Sequence, residues 1–166
     1  MLNIGKGEKD KRPMSIEASC PATIEIPREG WRLFCQRLGL HRGALVDVEV
    51  HFASSERQLA RDVPFRAVVF DDFGEPDLVF VEYGLPSRAP LQHRVVAPVH
   101  FVLRRHGEDP GYGRLEIPGQ CGMTVVNFRP GIHPALLEGL TPAHPIAAGL
   151  APLALVNQAG RSYFPA

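Results

Sequence analysis

The hydrophobic pattern changes period within residues 27–52, and that change constrains the fold more than any other feature of the chain. Trp31, Phe34, Cys35 and Leu38 stand at i, i+3, i+4 and i+7, one stripe of a 3.6-residue helix. Pro27 and Glu29 suit a first helical turn, and Gly39 suits the position just past the end. Gly30 opposes the helix slightly, by about 1 kcal/mol against alanine. Beyond His41-Arg42-Gly43 the period becomes two. Val46, Val48, Val50 and Phe52 alternate with Asp47, Glu49 and His51, giving one apolar and one charged face. A helical stripe that feeds an alternating strand through so short a turn predicts a helix across the end or face of an antiparallel sheet.

The rest of the chain is cut short by its breakers. Sixteen glycines and sixteen prolines leave little room for long helices. A short edge strand is expected at 23–26. After the helix, strands are expected at 46–52, 65–70, 78–83, 92–96, 99–104, 114–117 and 124–128, with Pro98 marking an edge or bend. The polar stretch 54–62 reads as a connection with room for one helical turn. Links this short do not allow helical crossovers, so the sheet is antiparallel. The expected fold is α+β and mostly β: one N-terminal amphipathic helix packed on a strongly bent antiparallel sheet, closed into a small barrel.

Residues 1–22 read as a charged, glycine-rich leader with nothing to bury, within which Met14 could be the true start. A single β-rich domain is expected over 23–131. Residues 132–166 read as an apolar extension broken by Pro and Gly. From 139 to 160 it holds no Asp, Glu, Lys or Arg, so it is expected to lie against the domain or a neighbouring subunit. Its expected contacts are Ile146, Leu150, Leu153, Leu155 and Val156.

A hydrophobic share of 45% supports a real core, and a formal net charge of +0 argues against a broad grip on nucleic acid. No run approaches the ~18 apolar residues that span a bilayer. Cys20, Cys35 and Cys121 form an odd set without CxxC spacing and without a secretory signal before them. A cytoplasmic protein with reduced thiols is the reading.

Pro27-Arg28-Glu29, Trp31, Phe34, His41-Arg42-Gly43, Val46 and Val48-Glu49-Val50 resemble the opening of a bacterial domain-of-unknown-function family. Its pattern is a W-x-x-F helix followed by an H-R-G-x-x-V-x-V-E-V strand. Asp62-Val63-Pro64-Phe65, the strand from 93 to 98, and Thr124-Val125-Val126 with Phe128 agree with it. The resemblance covers 24–130 and leaves out the extension. It implies a fold unit and no catalytic residue. The layout of a helix followed by short bent strands is also similar to Sm-like and SH3-like small barrels, an analogy of architecture that names no function.

Several side chains could carry chemistry. His41 and Arg42 stand in a turn where they could contact an anion; the preferred reading is that Gly43 turns the chain and leaves both in water. Arg104, Arg105 and His106 form the one dense basic step after the leader, and with Arg94 and Arg114 they could line one side of the sheet. A solvated strand end is the plainer reading. His51, His93 and His100 could meet on one sheet face as a zinc site, with Glu49 or Glu82 behind them, but the spacing follows no motif. Asp71, Asp72, Glu75 and Asp77 could gather a hard cation, although a solvated hairpin tip is preferred. Cys121 between glycines is an exposed thiol candidate, whereas Cys35 sits on the helical stripe.

The expected function is a noncatalytic interaction or assembly module without cofactor, meeting a protein partner or its own copy through the extension. Membrane contact is not expected, nor is nucleic acid. The alternative is a small-molecule-binding protein or modest enzyme, with a pocket at the open end of the sheet near His41, Arg42 and the 106–113 loop. Trp31, Phe34, Leu38, Val46, Val48 and Val50 are read as structural.

Overall fold

β1 (Thr23–Ile26) leads through a 3₁₀ turn (Arg28–Gly30) into α1 (Trp31–Leu38), a second 3₁₀ turn (Gly39–His41) and β2 (Leu45–His51). Then come β3 (Glu56–Asp71), β4 (Leu78–Tyr83), β5 (Leu91–Val96), β6 (Phe101–Arg104), β7 (Tyr112–Gly119), β8 (Gly122–Ile132) and a 3₁₀ turn over Pro134–Leu137. The structure, a computed structural model, describes residues 22–140. The strands form one antiparallel sheet in the order β1-β6-β7-β8-β2-β3-β4-β5, on which the helix packs. The expected class, mostly β with one helix on a bent antiparallel sheet, is the one observed.

The expected barrel does not close. Among the described residues β1 and β5 are the two edges of the sheet and do not pair with each other. Instead β5 and β6 are halves of one bent segment, the first lying on β4 and the second on β7. At the bend Ala97 takes a positive φ of 49°, and its N–H donates to the Asp77 carbonyl at 2.9 Å. Val99 N–H donates to Pro118, and Gln120 N–H donates to Val96. The bend lets one stretch of chain serve both ends of the sheet and curls it over the core.

Residues 54–62 are not a helical connection. Glu56 opens a sixteen-residue strand, β3, whose first part pairs with β2 as far as Leu45↔Pro64 and whose second part pairs with β4 from Phe65↔Tyr83. Two irregularities in the β2–β3 ladder and the left-handed Asp62 (φ 51°) bend the strand between its partners. Those shifts erase the period-two signal that would have marked a strand. Phe52 lies past the end of β2 and is 45% exposed, so the apolar face of that strand stops at Val50.

The helical stripe supplies the core. Trp31, Phe34, Cys35 and Leu38 are buried, as are Val46, Val48 and Val50. Burial contributes about 1.5–3 kcal/mol for each large side chain. The packed chain continues past 131. Ile132, Leu137 and Leu140 are buried, and the Arg37 guanidinium donates to the carbonyls of Leu136 and Glu138. Leu140 lies over Gly30, where a Cβ would meet its Cδ2 at 3.4 Å. The leader to residue 21, Cys20, Ile146, Leu150, Leu153, Leu155 and Val156 lie outside the described residues. Among the described residues no helix is long and apolar enough to cross a membrane.

Candidate functional site

One opening among the described residues follows from the way β3 changes partners. β2 leaves β3 at Pro64, so, among the described residues, 67–71 have β4 on one side and no strand on the other. The helix sits across that gap. Arg32, Cys35, Gln36 and Gly39 on one flank of α1 face residues 67–70 over a groove of about 360 Å³. Residues 67–70 make no hydrogen bond outside the β4 ladder among the described residues. Cys35, Val68 and Phe70 contribute its apolar lining, and Val69 is 43% exposed. Burial pushes the Cys35 thiol up to about 12, so it remains protonated and inert as a nucleophile.

Two arginines one helical turn apart fasten the β3–β4 turn beside this groove. Arg28 pairs with Asp77 and Arg32 with Asp72. The Arg28 guanidinium stacks over Trp31 at 4.8 Å, and that of Arg32 lies 5.8 Å from the ring of Phe73, which is 91% exposed. The turn is therefore neither a cation cage nor simply solvated: two of its four carboxylates are taken, Asp77 by Arg28 in the 3₁₀ turn and Asp72 by Arg32 in α1.

The turn carrying His41 and Arg42 borders a second, more open cleft of about 310 Å³, which also touches Leu40, Leu45 and Arg129. Gly43 makes the turn with φ 94°, a conformation costly for any residue with a Cβ, and its N–H donates to the Phe65 carbonyl at 2.9 Å. His41 Nε2 lies 2.8 Å from the Pro130 carbonyl, which fixes that nitrogen as the donor. Arg129 holds Asp47 with both of its terminal nitrogens, at 2.8 and 3.2 Å, and also pairs with Asp62. The Arg129 hydrogen bond is the main reason the Asp47 carboxyl lies below the usual range. Arg42 has no ion-pair partner among the described residues.

The 106–113 loop comes close to His41 through Pro130 and Gly131, but it does not line that cleft. Asp109 accepts from the N–H groups of Gly111 (2.7 Å) and Gly131 (3.1 Å), which hold its carboxyl below the usual range. The two backbones are so close that a Cβ on Gly111 would meet the Gly131 carbonyl at 2.9 Å. Arg104 is turned to Glu116 and Thr23, and Arg105 donates to the Pro110 carbonyl while its guanidinium lies over Tyr112 at 5.7 Å. His106 is exposed. Of the expected basic stripe, Arg104 and Arg114 stand opposite each other and share Glu116, whereas Arg94 lies on β5 opposite Phe80.

The three histidines do not converge. His51 Nε2 meets Glu49 at 2.9 Å, His93 Nε2 meets the Thr124 hydroxyl at 2.9 Å, and His100 pairs with Glu25. Burial lowers the basicity of His93. Among the described residues no three His, Cys, Asp or Glu are placed to hold a metal ion. Cys121 is exposed at the β7–β8 turn. No family model matches this chain, nor does any curated protein or solved structure, so its geometry must carry the functional reading.

Proposed function

We propose that this chain is a noncatalytic interaction module whose binding element is the groove between α1 and β3. It takes an extended, apolar stretch of polypeptide by adding it as a strand to the open edge of β3. The supporting observation is the one-sided pairing of residues 67–71 beside an apolar groove with Val69 exposed in it. An unpaired edge is a template for strand pairing, and edges left open are usually blunted by charge or proline. Residues 67–70 carry neither. Main-chain pairing would supply affinity, and the groove would select side chains. The test is selection from a random peptide library, with the selected peptides mapped onto the protein by amide chemical-shift changes. Uncharged apolar peptides should be enriched, shift residues 67–70 and 32–39, and bind at least tenfold more weakly to Val69→Arg. Peptides that shift only other surfaces would refute the reading.

One observation favours a second reading, a small-molecule site at the turn cleft. Arg42 borders that cleft without a carboxylate partner among the described residues, so a small anion could pair with it. Calorimetric titration with inorganic phosphate and with citrate, repeated on Arg42→Ala, decides it. Heats that are absent or unchanged in the variant would exclude it.

A further inference from the structure

We infer that the outward face of β3, β4 and β5 is the surface on which this chain meets a second copy of itself. The ladders lay its side chains out as a grid of three strands by three rows: Asp71-Leu78-Val96, Val69-Phe80-Arg94 and Ala67-Glu82-Gln92. The alternating positions Val68, Val79, Val81 and Val95 are buried in the core, so the grid points away from it. Its middle is apolar. Val69 is exposed, Ala67, Leu78, Phe80 and Val96 are half-buried, and none of the five packs on the core. The outward positions of the neighbouring strands are polar instead, with Arg114 and Glu116 on β7, Asn127 on β8, and Asp47, Glu49 and His51 on β2. An apolar patch rimmed by polar groups is the mark of a protein contact.

Charge complementarity selects the occupant. Arg94 is exposed and has no ion-pair partner among the described residues, whereas Glu82 accepts only from the Gln92 amide, at 2.6 Å. A patch that carries one free charge of each sign can complement itself across a twofold axis. The grid can be laid on its own copy in four ways. An axis along the strands sets Val69 against Arg94. One across them sets Arg94 against Arg94 and Leu78 against Glu82. The diagonal through Val96 and Ala67 sets Leu78 against Arg94 and Val69 against Glu82. Only the diagonal through Asp71, Phe80 and Gln92 matches throughout: Phe80 meets Phe80, Leu78 meets Val69, Val96 meets Ala67, and Arg94 meets the second copy's Glu82. At its corner Asp71 keeps its carboxyl turned to the Phe73 N–H, at 3.1 Å. The strands of the two copies then cross near a right angle, one of the two ways in which sheets stack. Alternate residues lie about 6.8 Å apart along a strand and strands about 4.8 Å apart, a mismatch of about 2 Å that side chains can span.

Sedimentation equilibrium on the full chain, from about 1 to about 100 μM, tests the inference. The natural chain should form a dimer and nothing larger. Phe80→Glu should raise its dissociation constant at least tenfold. Arg94→Glu, at an exposed position where the fold is not at stake, sets two carboxylates against each other and should do the same, as should Glu82→Arg. The double variant Arg94→Glu/Glu82→Arg exchanges the charges and should return the constant to within about threefold of the natural one. A natural chain that stays monomeric throughout overturns the inference. So does a dimer that Phe80→Glu and Arg94→Glu leave unchanged, since the copies then meet elsewhere. A double variant no tighter than the single ones overturns the crossed arrangement, because Arg94 then does not face Glu82. Phe80, Glu82 and Arg94 do not line the groove beside α1, so none of these outcomes bears on the peptide reading.

Discussion

The rings of Trp31 and Phe101 meet edge to face, with centroids 4.7 Å apart and planes at 75°, and that contact joins the helix to the bent β5–β6 segment. The indole N–H donates to the Ile26 carbonyl at 3.0 Å, so the one polar atom of the side chain is satisfied within the core. Phe70 stands edge-on to the indole at 5.4 Å. Trp31→Ala removes all three contacts and should cost about 3–5 kcal/mol in denaturant unfolding. The native protein should show blue-shifted tryptophan emission, as this is the only tryptophan and is 2% exposed. Emission typical of an indole in water would contradict the packing.

The thiols should separate by burial. Cys35 is buried with its thiol pushed up to about 12, whereas Cys121 is exposed. In a Cys20→Ser background, an aromatic disulfide reagent at pH 8 should label one cysteine per chain within minutes, identified as Cys121 by peptide mapping. Cys35 should react only on unfolding. Early labelling of Cys35 would mean that the floor of the groove opens in the native state.

The helix, the turn after it and β2 were legible because each keeps its own period undisturbed: Trp31 to Leu38 at helical spacing, and Val46 to Val50 at spacing two. β3 was not. Its first half is paired on one side and exposed, so Arg57, Gln58 and Arg61 give no alternation, and the bend at Asp62 shifts the phase before Phe65. The groove was illegible for the same reason, since it exists only where β3 exchanges β2 for β4. The sequence marked His41 and Arg42 as a turn but could not show that His41 is held by the Pro130 carbonyl, a residue 89 positions away. Nor could it reveal that Arg104 is turned to Glu116, because that pairing depends on register.

The Asp109 clamp should make stability depend on acid. Its carboxyl is held low by the N–H groups of Gly111 and Gly131, so the charged form is favoured in the folded state. That contribution is fully present above the unfolded value of about 3.9 and fades as pH falls below it. Asp109→Ala should therefore lower stability at pH 7 by about 1 kcal/mol, the low end for hydrogen bonds to a charged group because Asp109 is exposed. The gap between the natural and variant proteins should narrow between pH 4 and pH 2.5. A gap that stays constant across that range would show that the two N–H bonds do not depend on the charge.

His93 should act in the same direction as Asp109, with stability lost as pH falls, but in a higher window. Burial lowers its basicity, and its Nε2 meets the Thr124 hydroxyl, itself buried, at 2.9 Å. In the unfolded chain the imidazole takes a proton near pH 6.5, but in the folded chain it does so only at lower pH. Between those two values the unfolded state binds more protons, so stability falls as pH falls through about 6.5 and levels off once the folded imidazole is also charged. The slope from one such group is at most about 1.4 kcal/mol per pH unit. His93→Gln keeps an N–H for Thr124 and removes the titration. The natural protein should lose stability relative to this variant from pH 7.5 to pH 5.5, read as a growing difference in urea midpoint at equal m-value. Parallel curves for the two proteins, or a His93 ring that titrates in NMR at or above pH 6.5, would show that the β5 histidine is as hydrated as it is in the unfolded chain.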